Sequence, residues 1–158
     1  MKKLLCAIFI VLGLVALLPI ARPGIAASES GTLTGAAHGT FTSGAIFNSI
    51  TLAGFDVGTG VFIEPDGSAN GSFNAVLSGR SLLGQVQQIT IDGKVLKGAI
   101  TPDGRACISG IATVSLGGLP LLRGVPFSVT TTGNDVLLSV GSTVFPAAQV
   151  TKGVISVE

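Results

Sequence analysis

The sequence predicts an all-β domain behind an N-terminal export signal: a single antiparallel β-sandwich or small β-barrel of about eight to ten strands. Three observations predict it. Apolar and polar residues alternate with the two-residue period of a half-buried strand. Turn signals recur at short intervals, at Asp66-Gly67, Asp92-Gly93, Asp103-Gly104, Gly117-Gly118 and Gly133-Asn134-Asp135. After the first 27 residues, no stretch carries apolar residues at the three-four spacing of an amphipathic helix.

The N-terminal segment reads as a secretory signal peptide, residues 1–27. Lys2 and Lys3 form a basic start, Leu4 to Ile20 is uncharged and apolar, and small residues (Gly24, Ala26, Ala27) follow Pro23. Cleavage is expected after Ala27, with Ala26 as second choice. The 17 residues of the apolar run lie at the lower edge of what spans a bilayer, so a retained anchor is the alternative. Cys6 opens the run instead of closing it, which argues against a lipoprotein. The signal looks bacterial, and the expected location is periplasmic or secreted, with no membrane span after cleavage.

Residues 28–158 then form one domain of 131 residues, long enough to bury its own core. Subtracting Lys2, Lys3 and Arg22 from nine Lys+Arg leaves six against eight acidic residues, a formal charge of −2. The six cations are scattered, which argues against nucleic-acid binding through phosphate neutralisation. Only Cys107 survives cleavage, so no internal disulfide can form and stability must come from packing and backbone pairing. Trp and Tyr are absent, whereas a transmembrane β-barrel carries interfacial aromatic girdles.

Taken in order, the alternating segments are these. Phe73, Ala75 and Leu77 oppose Ser72, Asn74 and Ser78. Ile89 and Ile91 oppose Gln88 and Thr90. From Arg105 to Leu116 one face carries Ala106, Ile108, Gly110, Ala112, Val114 and Leu116. The other carries Cys107, Ser109, Thr113 and Ser115, with Ile111 as an apolar intruder. Val125, Phe127 and Val129 alternate with Ser128 and Thr130, and Val136, Leu138 and Val140 follow the same rule. One-face burial of this kind belongs to antiparallel sheets.

A duplicated hairpin unit is also visible. Ile63-Glu64-Pro65-Asp66-Gly67-Ser68-Ala69 matches Ile100-Thr101-Pro102-Asp103-Gly104-Arg105-Ala106. Further on, Leu82-Leu83-Gly84-Gln85-Val86 matches Leu121-Leu122-Arg123-Gly124-Val125. The unit is a Pro-Asp-Gly hairpin, a strand, a Leu-Leu loop and a further strand. Pro presets φ, Asp bonds its own backbone, and Gly takes positive φ. Convergent turn grammar is the competing explanation.

Chemistry-bearing residues are few. His38 is the sole histidine, and no Gly-x-Ser-x-Gly elbow occurs. A Cys107–His38 nucleophilic pair is formally available. One His and one Cys cannot complete a zinc site without carboxylates. Glu64-Pro65-Asp66-Gly67-Ser68-Ala69-Asn70 lacks the regular acidic spacing of a calcium loop and is explained by a hairpin tip. Turn duty is the expected role of Asp66, Asp92, Asp103 and Asp135, which leaves Asp56 and Glu64. Asp56 sits among apolar neighbours, where an inward carboxyl would titrate abnormally. The catalytic candidates are therefore Asp56, Glu64 and His38, with no cofactor and no metal expected.

The leading expectation is an exported, non-catalytic β domain: a binding, adhesive or envelope-structural module. Its partner would be an unknown protein, a polymer or a second copy of itself. The alternatives are a carrier with an apolar barrel cavity, an enzyme using Asp56, Glu64 or His38, and a lattice-binding surface built on Thr32-Leu33-Thr34, Thr40-Phe41-Thr42 and Thr130-Thr131-Thr132. The spacing of those threonines is too irregular for a flat lattice.

Overall fold

The computed structural model describes residues 30–158, with Thr42 and Ser43 described in their backbone alone. The predicted signal peptide, residues 1–27, lies outside the described residues. Among the described residues, nine strands run in chain order: β1 Gly31–Phe47, β2 Ile50–Ile63, β3 Ser68–Ser81, β4 Val86–Ile100, β5 Ala106–Leu116, β6 Leu119–Thr132, β7 Asp135–Val140, β8 Thr143–Val144 and β9 Ala148–Val157. Every pairing is antiparallel.

β1 to β7 each pair with the next strand, and β9 joins β7 to β1. Eight strands thus close into an up-and-down barrel, with the two-residue β8 paired to β7. Because β7 is short, Leu119–Val125 of β6 and Thr151–Val157 of β9 extend past it and pair on one side only. The weakest join is β7–β9, made by Asp135↔Gln149 and Val136↔Ala148 alone. β7 stops at Val140, opposite Phe127. The segment after it covers the remaining seam with Phe145, whose ring is buried against Phe47 and Phe41 at 5.7 and 6.2 Å.

The inward side follows the alternation. Phe73, Ile108, Val114, Phe127 and Val129 are all buried, in one continuous core with Leu33, Ile63, Leu77, Ile89 and Ile91. An eight-stranded barrel is just narrow enough for side chains to fill, and this one is filled. The interior void between Phe41, Phe55, Phe73 and Leu138 is about 10 Å3, room for no more than about one water.

Two predictions of local structure need correction. Asp92-Gly93 is no turn: both residues lie in the middle of β4, paired with Thr113 and Ala112 on β5. The glycine is there for close packing. A Cβ on Gly93 would lie 2.7 Å from two carbons of the Phe127 ring, and that ring is stacked on Phe73 at 5.5 Å. Gly39 is likewise packed close, since an added Cβ would run into the Gln149 backbone carbonyl on β9 and the Phe55 ring. Leu121-Leu122 is likewise no loop but the start of β6, and the tip beside it is Gly117-Gly118, both at positive φ. Two positive-φ residues in a two-residue hairpin match the right-handed twist of the strands.

The ends of the barrel differ. The β2–β3, β4–β5 and β6–β7 turns lie at one end, and the β1–β2, β3–β4 and β5–β6 turns at the other. The two Pro-Asp-Gly turns share one hydrogen-bond pattern. Glu64 N donates to Ser68 O at 2.8 Å and Gly67 N to Glu64 O at 3.0 Å. Thr101 N donates to Arg105 O and Gly104 N to Thr101 O, both at 2.9 Å. Their glycines sit at φ 82° and 77°.

Candidate functional site

Register places the three predicted site residues. His38 on β1 is opposite Asp56 on β2, and His38 Nδ1 lies 2.7 Å from Asp56 Oδ1. On the other side of β1, Lys152 of β9 occupies the position opposite His38. The β9 bulge there lets the Thr151 hydroxyl donate to the His38 carbonyl at 3.2 Å. Carboxylate, imidazole and ammonium thus fall in one cross-strand row. Asp56 points outward, and the pair is open to water at 48% and 60% exposure. On a convex, wet wall a substrate would stay solvated, and electrostatic help would be weak.

Glu64 does not join them. It begins the β2–β3 turn, eight residues beyond Asp56 and roughly 26 Å away at 3.3 Å per residue. Cys107 lies on β5, four strands from β1 either way round the eight-strand ring. A Cys107–His38 pair is therefore geometrically closed off. The Cys107 thiol instead lies 2.9 Å from the Thr130 hydroxyl.

The turn carboxylates are held in place. Asp66 Oδ1 accepts from the Ser68 hydroxyl at 2.6 Å and the Ser68 amide at 2.8 Å. These bonds, the hydroxyl's first, hold its carboxyl below the ordinary range. Asp103 is lowered in the same way, chiefly by the Thr101 hydroxyl and then by the charge of Arg105, whose Nε is 2.9 Å away. Asp92 accepts from Asn74 Nδ2 at 2.5 Å across β3 and β4. Among the described residues, no three His, Cys, Asp or Glu converge as a metal would need.

One concavity is a feature that alternation alone missed. A groove of about 650 Å3 crosses the outer wall from β3 to β6, lined by Leu96, Lys97, Ala99, Cys107, Ser128 and Thr130 among others. It is made by a bulge in β4 between Val95 and Lys97, which turns Leu96 and Lys97 outward in succession. The signal was present in the sequence as a change of parity. Ile89, Ile91 and Val95 are inward at odd numbers, whereas Ile100 packs on the core at an even one. At the groove's far side Ser128 and Ser139 exchange a hydroxyl contact at 2.8 Å.

Fold and surface together define a closed, filled antiparallel barrel with apolar residues inside and a wall rich in Ser, Thr and Asn outside. Compared with protein-family models, curated proteins and solved structures, the chain matches none.

Proposed function

We propose that the chain is an exported, non-catalytic binding module that works through its outer wall. The observation that carries this reading is the filled interior. A void of about 10 Å3 is far from the several hundred Å3 that a small-molecule site encloses, which weighs against the carrier. The apolar-in, polar-out arrangement is also the reverse of a membrane-embedded barrel. An enzyme would have to rest on His38 and Asp56, an exposed pair with neither Glu64 nor Cys107 in reach. General acid–base catalysis needs more groups positioned around a reacting atom than these two supply.

The contact surface is the β3–β6 groove, where a thiol, several hydroxyls and the Lys97 ammonium surround the apolar floor of Leu96 and Ala99. That mixture suits hydrogen-bonded contact with a protein or polymer. The test is capture from envelope extracts on immobilised protein, comparing the native chain with Ala99→Arg, which fills the groove. Capture by the native chain and its loss in the variant is the expected result. Turnover of any ester, amide or glycoside substrate that disappears in His38→Ala would overturn the reading.

A further inference from the structure

The barrel carries a second surface that folding does not explain. The β3–β4 turn uses the same hydrogen bonds as the two Pro-Asp-Gly turns: Ser81 N donates to Gln85 O at 2.9 Å and Gly84 N to Ser81 O at 2.8 Å, with Gly84 at φ 79°. At the other end of the barrel this turn carries Pro65-Asp66 and Pro102-Asp103 at its two tip positions. Here it carries Leu82-Leu83, each 87% exposed. Turn geometry therefore asks for no leucine, and turn tips ordinarily take Asn, Asp, Ser, Gly or Pro. Leu119 beside the Gly117-Gly118 tip is 75% exposed, and Ile46, Val86, Leu121 and Leu122 are exposed at the same end. A cluster of this size on a water-facing end marks an interaction surface.

Charge identifies the partner. Residues 44–54, 78–90, 114–126 and 139–147, which build this end, contain two charges, Arg80 and Arg123, both positive. Arg80 Nη1 donates to the Gly84 carbonyl at 3.0 Å, which holds its guanidinium beside Leu82-Leu83. The carboxylates Glu64, Asp66, Asp103, Asp135 and Glu158 all lie at the opposite end. We propose that the leucine end docks onto an anionic lipid bilayer, its leucines entering the interface and its arginines meeting phosphates. The acidic end would then face away, so the same surface potential that attracts one end orients the whole barrel. A tip-to-tip second copy would bring the arginines of both chains together, which like-charge repulsion opposes.

Residues 30–158 contain the whole closed ring and its core, so this segment suffices for the test. It is mixed with vesicles of phosphatidylcholine, with and without phosphatidylglycerol, and separated by flotation. Binding is expected with the anionic vesicles and is expected to weaken as salt rises. Leu82→Ser with Leu83→Ser should lower the partition coefficient roughly 100-fold, and Arg123→Gln about fivefold. Melting curves check the folding of each variant, and Leu119→Ser serves if the double variant is unfolded. Failure to bind anionic vesicles overturns the proposal, as does binding that ignores the leucine changes. So does a concentration-dependent dimer abolished by those changes, which would assign the end to a second copy. Groove variants such as Ala99→Arg should leave vesicle binding unchanged, so this surface and the wall stand or fall separately.

Discussion

Gly93→Ala adds one methyl group in the middle of β4, and the structure states what it meets: two carbons of the Phe127 ring at 2.7 Å and a third at 3.3 Å. In open space such a change stabilises a protein by about 0.4–1 kcal/mol, because alanine has less backbone freedom to lose on folding. Gly93 has no positive φ, so strand backbone alone would give that favourable sign. The ring cannot yield cheaply, because Phe127 is 3% exposed, stacked on Phe73, and also lies over Gly110. Overpacking of this kind costs about 1–3 kcal/mol, so the sign should reverse to a net loss. Subtracting the backbone gain leaves a net loss of about 1–2 kcal/mol, and at about 3–4 °C per kcal/mol for a domain of this size Tm should fall by roughly 3–8 °C. Urea unfolding followed by circular dichroism gives the same quantity through the midpoint at constant slope. Phe127→Leu should relieve the clash, so that Gly93→Ala costs much less in that background. A native-background Gly93→Ala protein as stable as the parent, or more stable, would refute the assignment of Gly93 to ring packing.

Three further outcomes follow from the surface. The coupling of His38 and Asp56, measured by a double-mutant cycle, should stay within about 1 kcal/mol and shrink with added salt, as for other exposed pairs. Because hydrogen bonds from Ser68 lower the Asp66 carboxyl in the folded state, its contribution is present above the ordinary aspartate range and is lost as pH falls through the lowered value. An NMR titration should show this midpoint rising in Ser68→Ala, with a weaker acid dependence of Tm in Asp66→Asn. Cys107 is free and exposed, so a water-soluble thiol reagent should modify the folded protein without denaturant. Cys107→Ser should abolish both that reaction and any oxidised dimer seen on non-reducing electrophoresis.

Side-chain alternation and turn chemistry are local properties, and the sequence by itself determined what depends on them. The two-residue period placed Phe73, Ile108, Val114, Phe127 and Val129 inside, and Cys107 outside with Ser109 and Thr113, because successive strand residues point to opposite faces. Pro65-Asp66-Gly67 and Pro102-Asp103-Gly104 announced their hairpins because the residues themselves prefer those dihedral angles. Asp92-Gly93 misled for the same reason: the dipeptide is a good turn, but the space under Phe127 is what that glycine serves, and Phe127 belongs to a strand two places along the barrel. Register between strands decided that His38 meets Asp56 while Glu64 and Cys107 stay apart. Closure of the ring decided that the core is filled, since barrel and sandwich interiors draw on the same alternating residues. The gathering of Leu82, Leu83, Leu119, Arg80 and Arg123 at one end, away from the carboxylates, depends on how many times the chain reverses between them. Each turn is a local matter, but which turns become neighbours is settled by strand pairing across the whole barrel.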